Sequence, residues 1–191
     1  MKKITGLLLI AILCSCSSDN EGTDPNVNSS YRQDMRSFVI SISQKAKGLH
    51  PGFAVIPQNG IELVSTTGDE DGNPVMDYLN AIDGNGQEDL FFGYDEDNQP
   101  TPSEDNAYLR GLLNISKSAG KTILVTDYCS TPQKMASSYQ QNATAGYISF
   151  AAPQRALNVI PAGQPDNVNA SDITSLSQAK NFLYLINPEN F

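Results

Sequence analysis

Tryptophan is absent from this sequence, histidine occurs once and cysteine three times. One histidine and three scattered cysteines give none of the spacings that hold zinc, so no metal is expected, and nothing else in the residues calls for a cofactor. Without tryptophan, ring stacking falls to 8 Tyr and 7 Phe, which counts against a dedicated carbohydrate-binding module while leaving an enzyme open. Basic residues are scarce as well. The 12 Lys and Arg stand against 21 Asp and Glu, a formal net charge of −9, and such a body repels phosphate backbones, so nucleic acid is not an expected partner. Long apolar runs are missing too: the stretch from Ile4 to Leu13, broken by Thr5 and Gly6, is too short to span a bilayer.

What that stretch does resemble is a secretory signal, because Lys2 and Lys3 precede it and Leu13-Cys14-Ser15-Cys16 closes it. The closing residues resemble a bacterial lipobox, in which a small residue precedes the cysteine that receives lipid. Residues 1–16 are therefore read as a lipoprotein signal peptide, with Cys16 as the lipid-bearing mature N-terminus; the alternative is an uncleaved anchor. Either way the sequence predicts an exported protein tethered to a membrane; as a bacterial lipoprotein it is expected at the (outer) membrane, periplasmic or at the cell surface. With Cys14 and Cys16 so used, Cys129 is left without a disulfide partner. Nor does Cys129 read as a nucleophile, since the single histidine, His50, follows a helical stretch beside Pro51-Gly52, where it suits a helix C-terminus.

Residues 17–30 are Ser, Asp, Asn, Gly, Thr and Pro with almost nothing to bury, a solvated tether ahead of a folded domain over 31–191. Tyr31, Met35, Phe38, Val39, Ile42, Ala46 and Leu49 recur at helical spacing and predict a helix over 31–48. Phe53-Ala54-Val55-Ile56, ending at Pro57, reads as a strand covered on both faces. Helices are then predicted near 75–82, 103–119 and 132–142, and strands at 89–92, 122–126 and 147–150. Alternation of this kind implies right-handed crossovers and a parallel sheet, an α/β fold whose site lies beyond the carboxyl ends of the strands. Gln58, Asn59, Asp127 and Tyr128 fall on that rim. Glu88 joins them if the second strand ends at Glu88 and Asp89 to Phe92 enter the following loop.

Four segments in order carry a family resemblance: Met35-Arg36-Ser37-Phe38-Val39; Phe53-Ala54-Val55-Ile56-Pro57-Gln58-Asn59-Gly60; Ile82-Asp83-Gly84-Asn85-Gly86-Gln87-Glu88-Asp89-Leu90-Phe91-Phe92-Gly93; and Asp127-Tyr128-Cys129. Together, over about residues 35–150, they resemble the endo-α-1,4-polygalactosaminidase-related glycoside hydrolases. The resemblance implies a (β/α)8 TIM-barrel type of fold, with about half the barrel in this chain, and hydrolysis of an amino-sugar-containing polysaccharide. It matches Glu88 to one of the family's two catalytic acids. The Phe-Asp-Gly-x-x-Leu-Asp segment that carries the other is absent, as is the Ser-Ile-Gly-Glu-Ala-Glu segment of the family's remaining half. Lys180-Asn181-Phe182-Leu183-Tyr184-Leu185-Ile186-Asn187 looks like the family's first barrel strand, which implies a permuted and truncated barrel.

Glycosidic cleavage ordinarily needs two carboxyl groups, roughly 5–5.5 Å apart for retention and 6.5–9.5 Å for inversion. Glu88 is the candidate general acid. Asp89 reads as its support, Asp127 as a partner or substrate-orienting group, and Gln58, Asn59 and Tyr128 as substrate-binding residues with donors and acceptors suited to sugar hydroxyls. For Asn59-Gly60 a plain turn is the competing reading, and for Glu88 a solvated acid beside a strand. One free carboxyl does not complete the mechanism, so the chain alone is expected to be inactive; a noncatalytic glycan-binding lipoprotein on the same fold is the alternative. Gly84-x-Gly86 lacks the third glycine of a dinucleotide loop. The acidic runs 69–73 and 95–98 lack the calcium-loop spacing. The oligomeric state is not written in the residues.

Overall fold

The computed structural model describes residues 25–161 and 167–186, with side chains from Ser30 onward. The expected signal peptide, Cys16 and most of the expected tether lie outside the described residues. In chain order the elements are α1 (Pro25–Leu49), α2 (Met76–Ala81), β1 (Gly84–Glu88), α3 (Ser103–Ser118), β2 (Thr122–Tyr128), α4 (Pro132–Ala145) and β3 (Ile148–Ala152), with short 3-10 turns at Ile61–Val64 and Leu176–Gln178. The three strands form one parallel sheet in the order β1-β2-β3, with Glu88 opposite Thr126 and Tyr128 opposite Ala152 in register. Helix α1 opens at Pro25, so the end of the expected tether is helical; proline at the first helical turn gives up only an N–H that has no partner there.

The α/β class holds, and the barrel does not. Among the described residues there are three strands in an open sheet, with nothing that closes it into a barrel, whole or half. Two segments expected as barrel strands explain the difference. Residues 53–57 run beside β1 but touch it through a single bridge, Gln58 to Gly86, with Gly86 N donating to Pro57 O and Asn59 N to Gly86 O, both at 2.8 Å. The next rung would need an N–H from Pro57, which has none. Nor is this segment covered on both faces, for Phe53 is 49% exposed. Residues 180–186 form no strand either; Phe182 and Tyr184 instead pack on Tyr128, Phe150, Ala152 and Leu157. Asn187 lies outside the described residues.

One face of the sheet carries the core. Ile123, Val125 and Ala151 cluster with Leu109, Leu112 and Leu113 of α3, with Tyr78 and Leu79 of α2, and with Leu90, Phe91 and Phe92 from the loop after β1. Alternation along each strand sends Glu88, Tyr128 and Phe150 to the other face, where the 180–186 segment covers the β3 side.

Helix α1 docks by its polar side. Arg36 is buried and donates from Nε to Leu63 O at 2.8 Å and from its terminal nitrogen to Ser65 O at 2.5 Å, and burial lowers its pKa. Ser43 Oγ and Lys47 Nζ donate to Ala81 O, at 2.5 and 3.0 Å, and Lys47 pairs with Asp83 at 2.9 Å. The apolar positions that announced the helix, Tyr31, Met35, Phe38, Ile42 and Leu49, are exposed; Val39 reaches the core.

Candidate functional site

Strand β1 is Gly-Asn-Gly-Gln-Glu, poor material by strand propensity, and its glycines are there for close approach. A Cβ on Gly84 would sit 2.5 Å from the Thr122 carbonyl oxygen of β2, and one on Gly86 would sit 1.9 Å from Gln58 Oε1. The strand therefore stops at Glu88 rather than occupying 89–92, and Glu88 is its last residue, at the rim. Asp89 then turns the chain with φ 60, and Leu90, Phe91 and Phe92 dive into the core.

Glu88 is half-buried, and each of its carboxylate oxygens accepts a hydrogen bond. Asn59 Nδ2 donates to Oε2 at 2.8 Å, and the Tyr128 hydroxyl donates to Oε1 at 2.5 Å. Asn59 also accepts from the Glu88 backbone N–H through Oδ1, at 3.0 Å. It does so from a left-handed backbone, φ 57, followed by Gly60 at φ 60. Asparagine tolerates that conformation better than most residues. The turn reading and the site reading of Asn59-Gly60 thus hold together: the turn aims the amide. Gln58 is exposed and lies over Gly86, close to the same rim.

Tyr128 and Asp127 are neighbours on β2 and face opposite ways. The phenol reaches Glu88, and its pKa is raised by burial, then by the hydrogen bond to Glu88 and its charge. Asp127 is not on the rim. It is fully buried, accepting from the Phe91 and Phe92 amides at 2.8 and 3.3 Å, from Ser138 Oγ at 2.6 Å and from Asn142 Nδ2 at 2.9 Å. Strand alternation is the reason, since the residue before Tyr128 must face the helices. Burial pushes the Asp127 carboxyl up, against the hydrogen bonds from Ser138, the two amides and Asn142. Its chemistry is structural: it ties the β1–α3 loop to α4.

Asp89 lies beside Glu88, but both of its oxygens are taken. Arg155 donates to Asp89 Oδ2 at 3.1 Å and to Oδ1 at 2.9 Å, to Asp97 Oδ1 from Nε at 2.7 Å and to Gly93 O at 2.7 Å. Burial still raises the Asp89 pKa despite the guanidinium. The same guanidinium lies 4.0 Å above the Tyr128 ring. Arg155 and Asp97 are site residues that motif reading passed over. A signal existed: Arg155 is the one basic residue between Lys134 and Lys180, just past a predicted strand in an acidic chain.

Cys129 is buried, and burial together with the Asp127 charge pushes its thiol up to about 12. A protonated thiol is a poor nucleophile. Among the described residues, no cluster of three or more His, Cys, Asp or Glu side chains is arranged to hold a metal, and no helix is long and apolar enough to cross a membrane.

No protein-family model matches the chain, so the motif resemblance to polygalactosaminidase-related hydrolases has no family match behind it. An uncharacterized protein from Deinococcus radiodurans is 27% identical over 134 residues, a stretch covering 70% of this chain and 40% of that protein. The matched part thus spans about two fifths of the relative's length.

Proposed function

We propose that this chain belongs to an exported, glycan-active protein of glycoside-hydrolase type acting on an amino-sugar-containing polysaccharide. The observation that carries the reading is Glu88 at the carboxyl end of a parallel strand, flanked by Asn59 and Tyr128. Ligands of parallel α/β sheets bind at that end, and a carboxyl among neutral amide and phenol groups suits sugar hydroxyls and the glycosidic oxygen. In this reading Glu88 is the candidate general acid, and Gln58, Asn59 and Tyr128 bind substrate. Export rests on the lipobox-like N-terminus, with Cys16 carrying the lipid that tethers the protein to the membrane.

A second reading, glycan binding without cleavage, draws support from one feature. Asp89 is held by Arg155 and Asp127 by its buried donors, so neither is free to serve as the second carboxyl of a two-residue mechanism. Calorimetry with α-1,4-linked galactosamine oligosaccharides tests the shared site: Glu88→Gln and Asn59→Ala are each expected to weaken binding by about tenfold, the equivalent of ~1.4 kcal/mol. Absence of binding by the wild-type chain sinks both readings. Release of reducing ends from the polymer decides in one direction only. The chain alone is expected to release none, and release abolished by Glu88→Gln establishes the hydrolase.

A further inference from the structure

We propose that Arg155 is the positioning residue of this site, acting on Glu88 through Tyr128. The proposal builds on the reading of Glu88 as the site carboxyl. Arg155 stands just past β3, yet its guanidinium reaches the β1–α3 loop at Asp89, Gly93 and Asp97 and the end of β2 at Tyr128. It therefore joins the exits of all three strands. The planar fork suits this work: two nitrogens take the Asp89 carboxylate side by side, a third takes Asp97, and the flat face stays free for the ring.

Tyr128 has one polar atom to aim, and a swing of the side chain about its Cα–Cβ bond would carry the hydroxyl off Glu88. The guanidinium 4.0 Å from the ring centroid blocks one face of that movement and attracts the ring electrostatically. A cation over the ring also draws electron density from the phenol and makes its O–H a better donor to the carboxylate. The charged groups around the pair are Glu88, Asp89 and Asp97 against the single cation of Arg155. Without Arg155, Asp89 and Asp97 become unpaired negative charges beside Glu88.

The absence of tryptophan makes tyrosine emission a direct readout, because a phenol that donates to a carboxylate is quenched. The Tyr128 contribution is the difference between a given background and the same background carrying Tyr128→Phe. In the wild-type full chain this contribution is expected to be weak, and Arg155→Met is expected to raise it at least about twofold. Arg155→Lys is expected to behave like Arg155→Met, since an ammonium supplies the charge without the planar fork. Glu88→Gln should raise the emission to the same level, with no further rise on adding Arg155→Met. Wild-type emission in either Arg155 variant, or full additivity with Glu88→Gln, overturns the proposal. If circular dichroism shows Arg155→Met unfolded, Arg155→Lys carries the test. None of these signals depends on glycan cleavage or binding, so a failure here is separate from a failure of the proposed function.

Discussion

Asp127 shows how much one buried carboxyl does in a small sheet. Four donors converge on it from two segments, and Asp127→Ala strands the Phe91 and Phe92 amides and the Ser138 hydroxyl, leaving Asn142 only its bonds to Ser138, at an expected cost of about 3 kcal/mol in urea unfolding. Its pH dependence has a definite sign. The folded-state value lies above the ordinary one because burial outweighs the hydrogen bonds, so the folded state binds the proton more tightly than the unfolded chain. The contribution is fully present below the unfolded value of about 3.9 and is lost as pH rises through the folded value. Asp127→Asn cannot titrate. On going from about pH 4 to pH 7, the wild type is therefore expected to lose stability relative to Asp127→Asn, and a gap moving the other way would refute the assignment. The place of Asp127 on the helix-facing side differs from the rim expected from sequence, because a carboxylate near a strand end signals a rim until the alternation of the strand is fixed.

At the scale of elements, the two glycines of β1 separate packing from site geometry. The Gly84 position is crowded by backbone, the Thr122 carbonyl oxygen, whereas Gly86 is crowded by the far end of the exposed Gln58 side chain. Gly84→Ala is accordingly expected to cost about 1–3 kcal/mol in chemical denaturation. Gly86→Ala should cost clearly less, while displacing Gln58 and, on the proposed function, weakening glycan binding. Equal losses of stability for the two variants would contradict this. The same strand shows where the sequence was legible and where it was not. Helices α2, α3 and α4 and strands β2 and β3 fall within a few residues of their expected positions, because apolar periodicity and turn residues mark them. Strand β1 lies at Gly84–Glu88 rather than at the expected 89–92, because Gly-Asn-Gly-Gln-Glu has little strand propensity and is held by its neighbours instead. The alternative that ended the strand at Glu88 was the correct one, and with it the rim position of Glu88 was readable. Arg155 was legible only as a lone basic residue past a strand; its partners lie in other loops, and nothing in its own sequence names them.

Across the whole molecule, stability is divided unevenly around α1. Its periodicity announced a helix correctly, but periodicity alone does not say which side docks. The apolar stripe of Tyr31, Met35, Phe38, Ile42 and Leu49 is exposed, and the docking side is Arg36, Ser43 and Lys47. Phe38→Ser, at 61% exposure, is expected to change unfolding free energy by no more than about 0.5 kcal/mol. Arg36→Ala, which strands two buried carbonyls, is expected to cost about 2 kcal/mol, and the reverse order would mean that α1 docks by its other side. The site depends on the whole in another respect. Its bonds join residues 29, 40 and 66 positions apart, Asn59 to Glu88, Tyr128 to Glu88 and Arg155 to Asp89. Each is a long loop that must close before the contact rewards it. No fragment holding one strand and its helix contains the constellation, so it is expected to assemble only once the three strand ends have come together.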